Sequence, residues 1–291
     1  MRGIIEMTVA ETYRGIISRL RPRFGAGEAR AMADLIFNSQ KGWGRTEILM
    51  HDDQEVSDLM QRGVENMVRR IEGGEPVQYV TGEAYFHGFW LRSDNRALIP
   101  RPETSELVDL IEDDWRGMED LRILDIGTGS GCIAVALARS LPFCKVDGID
   151  ISAHALTLAR ENAALLNVSV TFKEADMRVF RPAPESLDVV VSNPPYIDEN
   201  EKSDMESVVT DYEPAQALFV PDSDPLCFYR PVVSIASVGL KPGGRLYLEI
   251  NPRHASDISE LLSDAGFVEV DIRLDIHGKK RFATARKPSG I

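Results

Sequence analysis

Residues 123–137, ILDIGTGSGCIAVAL, give the clearest indication of the fold. This stretch begins as a short, mostly apolar strand pattern, passes through Gly127, Gly129 and Gly131, and continues as an apolar segment typical of a helix. Glycine lets the backbone turn sharply and lets a ligand approach without a Cβ in the way, and a helix N-terminus favours an anionic group. We therefore predict a strand, a tight loop and a helix, with a cofactor lying across the loop.

An acidic residue follows this loop at a spacing typical of nucleotide sites. Asp150 ends the next predicted strand, about 20 residues further on. A carboxylate at this position can accept hydrogen bonds from both hydroxyls of a ribose. The loop and the acid together predict a nucleoside-containing cofactor, and a tight turn that binds no ligand is the alternative.

Strand and helix patterns alternate after residue 120, which predicts right-handed crossovers and a mainly parallel, doubly wound sheet. The seven predicted strands are 121–127, 145–150, 168–176, 187–193, 244–250, 267–275 and 281–287. The predicted helices lie near 131–141, 153–166, 224–238 and 254–265. Only IHGKK, residues 276–280, joins the last two strands, which is too short for a crossover helix. These two strands should therefore pair as an antiparallel C-terminal hairpin.

The N-terminal quarter of the chain has a different pattern. Residues 8–72 carry apolar side chains at helical spacing in three segments, the third of which includes Leu59, and Gly and Pro residues separate the segments. These features predict a small helical bundle. We expect a helical domain over 1–74, a β-hairpin linker over 75–100 and the α/β domain over 101–291, with Thr104 as N-cap of the first α/β helix.

The bulk composition limits the function classes. With 43% hydrophobic and 27% charged residues, the chain is typical of soluble globular proteins, and its N-terminal stretch lacks a signal-peptide core. The net charge of −13 argues against a protein that holds nucleic acid through its phosphates. The three cysteines and five histidines are scattered, without metal-ligand spacing. We expect a cytoplasmic protein with no metal, no direct nucleic-acid partner and no membrane span.

The spacing of the glycine loop narrows the cofactor class. The loop has the form G-x-G-x-G rather than G-x-G-x-x-G, and Asp125 precedes it within the strand. In this it resembles the class I S-adenosylmethionine methyltransferases. The resemblance implies that Asp150 holds the ribose, that the glycine loop approaches the methionine part of the cofactor, and that Asp176 and Met177 border the adenine.

The stretch VVVSNPPYID, residues 189–198, ends the fourth predicted strand with an amide and two prolines. Ligands of open α/β sheets bind outside the carboxyl ends of the strands, so these residues should border the cofactor site. If the methyl acceptor is a flat NH2 group, the Asn193 side-chain carbonyl and the Pro194 backbone carbonyl can accept its two hydrogens. Proline suits this role because it fixes its own φ and with it the direction of the carbonyl. Tyr196 can stack on the acceptor. A turn without function is the alternative.

Four stretches together make the resemblance specific. The chain resembles the HemK/PrmC family of protein-(glutamine N5) methyltransferases, which modify the glutamine of the GGQ motif in peptide chain release factors. The resemblance implies that the helical module contacts the release factor and that residues 101–291 form the catalytic domain, and a monomer is the simplest expectation. The stretches that carry it are EPVQYVTGEAYFHGFWL (75–91), LIPRPETSELVD (98–109), ILDIGTGSG (123–131) and VVSNPPYI (190–197), supported by YEPAQAL (212–218) and HGKKRF (277–282).

The resemblance also implies roles for single residues. The implied cofactor contacts are Gly127, Thr128, Gly129, Ser130, Gly131, Asp150, Met177 and Asn193. The substrate glutamine would be held by Asn193, Pro194, Pro195 and Tyr196, under a lid formed by Arg101, Pro102, Glu103 and Thr104. Met177 stands where the family often has an aromatic residue, so a thioether contact is expected. Many members follow the fifth-strand Glu with Ile-Gly, whereas Asn251 and Pro252 follow Glu249 and Ile250 here.

Two other functions are compatible with parts of this pattern. An N6-adenine nucleic-acid methyltransferase uses the same kind of NPPY site, because adenine also presents a flat NH2 group. It would need to flip a base and grip phosphates, however, and this chain has 33 basic against 46 acidic residues. A scaffold that binds S-adenosylmethionine without catalysis is the second alternative, for which Asn193 would be dispensable.

Overall fold

The computed structural model describes residues 7–204 and 207–289. The chain divides into two compact units, an N-terminal unit of residues 1–83 with 206–212, and a sheet unit of residues 84–205 with 213–291. The division falls at residue 83 rather than at the expected residue 74, because a short helix beyond residue 74 contributes Val77 and Val80 to the N-terminal core. Among residues 7–204 and 207–289, no helix combines the length and the apolarity needed to cross a membrane.

The N-terminal unit is helical, as expected. Its elements are α1 (Val9–Lys41), α2 (Arg45–Met50), α3 (Asp58–Glu72) and α4 (Val77–Thr81). A capping box at Thr8 starts α1, and Gly25, at φ 80°, breaks its helical geometry where a separation was predicted. The expectation for Leu59 is wrong, since its side chain is 76% exposed. Met60, Val64 and Val68 recur every four residues and form the buried stripe, which leaves Leu59 on the solvent side.

The hairpin predicted between the two parts is shorter than its expected range. It consists of β1 (Glu83–Phe86) and β2 (Phe89–Arg92), joined by His87 and Gly88, which both have positive φ as a two-residue hairpin turn requires. Phe86, Phe89 and Leu91 are buried in the core of the sheet unit. The hairpin is therefore part of that core.

The sheet unit alternates strands and helices. Its elements are α5 (Pro102–Trp115), β3 (Arg122–Ile126), α6 (Cys132–Ser140), β4 (Lys145–Asp150), α7 (Ala153–Leu165), β5 (Val170–Glu174), β6 (Leu187–Ser192), β7 (Ile197–Asp198), β8 (Phe219–Val220), α9 (Tyr229–Gly239), β9 (Leu240–Glu249), α10 (Ala255–Asp264), β10 (Val268–Leu274) and β11 (Lys280–Arg286). Between β7 and β8 the chain forms α8 (Ser207–Tyr212) of the N-terminal unit, where the Tyr212 hydroxyl donates to the Gly73 carbonyl at 3.2 Å.

The main sheet has seven strands in the order β10-β11-β9-β6-β3-β4-β5. The five strands from β9 to β5 run parallel, and β11 lies antiparallel to both of its neighbours. Each predicted strand is present, and the predicted C-terminal hairpin is confirmed. Alternate strand residues face opposite sides, so Ile123 and Val189 pack in one core cluster and Leu124 and Val190 in another. Strand order reverses at β3, which is where such sheets bind ligands.

Candidate active site

A cavity of about 300 Å³ lies in the sheet unit, at the carboxyl ends of β3, β4 and β6. It is also lined by residues 96–101 and by Pro214, Gln216 and Ala217, which the strand pattern alone did not place there. The predicted residues that line it are Arg101, Thr104, Gly127, Thr128, Gly129, Ser130, Asp150, Asp176, Met177, Asn193 and Pro195. Pro102, Glu103, Gly131, Pro194 and Tyr196 do not line this cavity. Residues far apart in the sequence thus surround one space.

The glycine loop has the close backbone packing that its sequence predicted. Gly131 is the N-cap of α6 at φ 78°, and a Cβ built there would lie 3.0 Å from the Cβ of Ala159 and 3.2 Å from the Phe172 ring. A side chain would therefore be both strained and crowded at this position. Glycine at this position therefore allows the loop to pack closely against Ala159 and Phe172, while Gly127 and Gly129 line the cavity.

Asp150 is held in place by backbone donors on both of its oxygens. The Gly129 N–H donates to Oδ2 at 2.9 Å, and the Ser152 N–H donates to Oδ1 at 2.8 Å. Burial raises the pKa of Asp150, and these N–H groups act in the opposite direction. Each carboxylate oxygen has more than one lone pair, so this fixed group can accept further hydrogen bonds from a diol.

Two further acids lie in different environments, Asp125 buried behind the glycine loop and Asp176 at the cavity. Asp125 is fully buried, accepts a hydrogen bond from the Thr128 hydroxyl at 2.6 Å, and burial raises its pKa to about 7. Asp176 is paired with Arg178 through both the guanidinium, at 2.8 Å, and the backbone N–H, at 2.9 Å, which lowers its pKa. Asp125 thus supports the glycine loop from inside, whereas Asp176 lies on the cavity wall.

Asn193 follows the last residue of β6 and is connected to a buried acid. Its Nδ2 donates to Thr104 Oγ1 at 3.1 Å, and the Thr104 hydroxyl donates to Glu249 Oε2 at 2.7 Å. The Tyr196 hydroxyl donates to the other oxygen of Glu249, Oε1, at 2.9 Å. Glu249 is 1% exposed, and burial raises its pKa. Sequence reasoning gave Glu249 no role; its signal was a single acid at the end of the apolar run GRLYLEI, residues 244–250.

Thr104 does not have the predicted capping role. Helix α5 begins at Pro102, its N-cap is Arg101, and that cap has no side-chain hydrogen bond. Proline suits the first helical position because its φ is already helical and its missing N–H costs nothing there. The helix consequently starts earlier than predicted, and the Thr104 hydroxyl is directed to Glu249.

The predicted lid segment is fastened by a second buried acid. Glu213 Oε1 accepts from Arg101 at 2.6 Å, and Oε2 accepts from the Ile99 N–H at 3.1 Å. The Glu213 side chain is only 1% exposed. It lies in the stretch YEPAQAL, which supported the family resemblance, but its role could not be assigned from the sequence.

The departure at Asn251 has a structural role. Asn251 Nδ2 donates to the Tyr196 carbonyl at 3.0 Å and to Glu201 Oε1 at 2.8 Å, while its Oδ1 accepts from the Arg253 N–H at 3.0 Å. This residue, which is 4% exposed, therefore holds the end of the NPPY loop from the segment after β9.

His87, Asp109 and Glu112 have spacing that could suit a metal ion. His87 Nε2, however, is hydrogen-bonded to Glu112 at 2.8 Å, and Nδ1 to the Ser105 hydroxyl at 2.9 Å. Because both ring nitrogens already have protein partners, we interpret this group as a link between the β1–β2 hairpin and α5.

Comparison with known proteins identifies relatives for both units. A family model described as "Methyltransferase small domain" matches residues 104–211, and one described as "PrmC N-terminal domain" matches residues 11–82. A protein of Bacteroides thetaiotaomicron named release factor glutamine methyltransferase is 44% identical over 263 residues, which cover 89% of this chain and 93% of that protein.

Two further relatives carry the same name. The protein of Flavobacterium psychrophilum is 38% identical and the match covers 81% of this chain and 84% of that protein, while the protein of Deinococcus radiodurans is 36% identical with coverage of 92% and 95%. These matches confirm the resemblance predicted from the sequence. The chain belongs to the release factor glutamine methyltransferase family.

Proposed function

We propose that this chain transfers a methyl group from S-adenosylmethionine to the side-chain amide nitrogen of the glutamine in the GGQ motif of peptide chain release factors. The observation that carries the proposal is the shared cavity. The glycine loop and Asp150, which suit the cofactor, line the same space as Asn193, which suits a flat NH2 group. Family membership identifies the enzyme class, and the cavity suggests which residues bind the cofactor and which orient the methyl acceptor.

The cofactor side of the cavity fits a nucleoside with an attached amino acid. Asp150, fixed by two backbone donors, would accept from the ribose hydroxyls. Gly127, Thr128 and Gly129 would leave room for the methionine part, and Met177 would contact the adenine. When bound, S-adenosylmethionine supplies a methyl group on a positively charged sulfur.

The acceptor side works by orientation. An amide nitrogen is a poor nucleophile because its lone pair is delocalised into the carbonyl group. The Asn193 carbonyl and the Pro194 backbone carbonyl would each accept one of its hydrogens and turn the nitrogen toward the methyl donor. Positioning of this kind supplies much of the catalysis, on the order of 7 to 11 kcal/mol. No strong base is required beforehand, because the nitrogen becomes acidic once it is methylated.

We further propose that the N-terminal unit recognises the release factor and that residues 101–104 act as a lid. The match of residues 11–82 to the PrmC N-terminal domain model supports a role specific to this family. Exposed apolar side chains on that unit, Leu49 at 69% and Met50 at 72%, offer contact area for a protein partner.

Methyl transfer to a release factor tests the proposal directly. With radiolabelled S-adenosylmethionine, the protein should label a release factor but not the same factor with its GGQ glutamine replaced by alanine. Asn193→Ala should lower kcat by about a hundredfold or more, since one of two orienting acceptors is lost, while cofactor affinity changes little. Asn200→Ala, an exposed asparagine after β7, is the matched control. Labelling of duplex DNA would favour the nucleic-acid alternative, and no transfer at all would favour a scaffold.

A further inference from the structure

Glu249 occupies a place from which it can control both ends of the NPPY loop. Strands β6 and β9 pair in parallel with Ser192 opposite Leu248, so Asn193, just past the end of β6, lies beside Glu249, the last residue of β9. One Glu249 oxygen accepts from Thr104 at 2.7 Å and the other from Tyr196 at 2.9 Å. A buried acid with both oxygens satisfied by hydroxyl donors is a built arrangement rather than a chance contact.

The number of hydrogens available in the hydrogen bonds that link Asn193, Thr104 and Glu249 determines which way the Asn193 amide faces. A hydroxyl has only one hydrogen, and the Thr104 hydroxyl donates it to the Glu249 carboxylate. Thr104 Oγ1 can therefore only accept from Asn193, which requires that the Asn193 NH2 group, 3.1 Å away, faces Thr104. Because the amide oxygen and nitrogen diverge from the same carbon, the carbonyl oxygen is the atom left for a substrate.

The direction of this amide matters for the choice of acceptor. A carbonyl oxygen accepts from a substrate NH2 group, whereas an NH2 group in its place would donate and would suit a carboxylate or carbonyl. An asparagine free to rotate by 180° could do either. The hydrogen bonds from Asn193 to Thr104 and from Thr104 to the buried Glu249 remove this freedom.

The second arm of Glu249 supports the other end of the loop. Tyr196 lies three residues after Asn193, its hydroxyl is bound to Glu249, and Arg281 Nη1 lies 3.5 Å from that hydroxyl. Arg281 is in turn paired with the buried Asp275 at 3.2 Å. Burial raises the pKa of Glu249, whereas the Thr104 and Tyr196 hydroxyls and the positive charge of Arg281 act in the opposite direction, toward the ionised form that accepts from both hydroxyls.

We infer that Glu249 is a positioning residue that acts through Thr104 to fix the Asn193 carbonyl toward the acceptor, so that the site selects an amide NH2 over a carboxylate. The inference rests on the proposed function. Glu249 and Thr104 need not touch the reacting nitrogen; they set the orientation of the group that does.

Substitution of Thr104 tests the relay, by which we mean the two hydrogen bonds that connect Asn193 through Thr104 to Glu249. Thr104→Val keeps the shape and removes the hydroxyl, so kcat toward a release factor should fall about tenfold or more, with the dissociation constant of S-adenosylmethionine within about twofold of wild type. Thr104→Ser keeps the hydroxyl and should restore activity to within about threefold of wild type. Equal losses in the Val and Ser variants, or no loss in Thr104→Val, would overturn the inference.

Discrimination between amide and carboxylate is the readout that a purely structural role would not change. The probe is a release factor whose GGQ glutamine is replaced by glutamate, used as a competitive inhibitor. Its inhibition constant divided by the KM of the normal factor should fall about fivefold or more in Thr104→Val, because the released Asn193 can present its NH2 group to a carboxylate. An unchanged ratio would show that Thr104 does not set the amide direction.

The Glu249 arm needs its own variant. Glu249→Gln is isosteric and offers one acceptor to two hydroxyl donors, so kcat should fall, and the loss on adding Thr104→Val should be smaller than in the wild-type background. Glu260→Gln, an exposed glutamate of α10, is the control. Full activity of Glu249→Gln, or additive losses in the double variant, would remove Glu249 from the relay. Failure of the proposed function is distinguishable, because the wild-type protein itself would then not label the release factor.

Discussion

Among the single residues near the site, the buried Asp125 has an unusual pKa. Asp125 is 0% exposed, and burial, offset in part by the Thr128 hydroxyl, raises its pKa from 3.8 to about 7. The negative charge of Asp150 acts in the same direction as burial. The folded protein therefore binds a proton at Asp125 in a pH range where the unfolded chain has already released it.

This pKa difference predicts the pH dependence of stability. Between about pH 4 and pH 7 the folded state holds more protons than the unfolded state, so the free energy of unfolding should decrease as the pH rises, and the full cost is present above pH 7. Asp125→Asn removes this contribution. The stability of the variant relative to wild type should increase from pH 5 to about pH 7, by on the order of 1.4 kcal/mol for each pH unit, and stay constant from there to pH 8.

Urea unfolding of both proteins at pH 5 and pH 8 measures the effect. Asp53→Asn, at an exposed aspartate of the N-terminal unit, serves as the control for loss of one carboxylate. If wild type and Asp125→Asn changed by the same amount between the two pH values, a raised pKa at Asp125 would be contradicted.

Among the elements of the fold, an ion pair between the buried Glu213 and the partly exposed Arg101 holds a segment that lines the cavity. Glu213 binds the Arg101 guanidinium and the Ile99 N–H, and both Arg101 and Ile99 line the cavity. Glu213→Gln keeps an acceptor and removes the charge. We expect the free energy of unfolding to fall by about 1 to 3 kcal/mol and the affinity for S-adenosylmethionine to fall about tenfold, because segment 99–101 is held less firmly.

Thermal unfolding and calorimetric titration with S-adenosylmethionine measure these two changes. Asp113→Asn removes a charge from the Asp113–Arg116 pair, in which both side chains are more than 70% exposed, and should change neither quantity appreciably. If Glu213→Gln bound the cofactor as tightly as wild type, the ion pair would have no part in positioning segment 99–101 for cofactor binding.

The elements also show what local sequence patterns can and cannot predict. The seven strands were predictable because apolar runs between turn signals determine them. The start of β9 could not be predicted in the same way, because Pro242 and Gly243 are typical turn residues. In the structure they lie within the strand, where its pairing with β6 is irregular. Of the site, motifs predicted the glycine loop, Asp150 and Asn193.

Contacts between distant parts of the chain were beyond such reasoning. Thr104 and Glu249 are separated by 145 positions, and Ile99 and Glu213 by 114. Neither pair has a local spacing that would connect its members, because each forms only when the sheet brings strand ends and loops together. The residues in motifs could therefore be predicted, whereas the acids that position them could not.

At the scale of the whole molecule, two units share the proposed task of chemistry and recognition. The cavity lies entirely in the sheet unit. A truncation that removes residues 1–72 would be a poor test of the N-terminal unit, because Val77 and Val80 belong to its core and residues 207–212 to the same unit. Substitution of exposed apolar residues leaves that core intact and tests the proposed binding surface by itself.

Leu49, Met50 and Leu59 are the exposed apolar residues to change, at 69%, 72% and 76% exposure. A variant with serine at all three positions should raise KM for the intact release factor about tenfold, because apolar contact area with a protein partner is lost, while kcat and cofactor affinity stay close to wild type. Phe143→Ser, which removes an equally exposed apolar side chain from the sheet unit, should leave KM unchanged. Steady-state methyl transfer over a range of release-factor concentrations gives both constants. A loss confined to kcat would place these residues outside the docking surface and would leave recognition to the sheet unit.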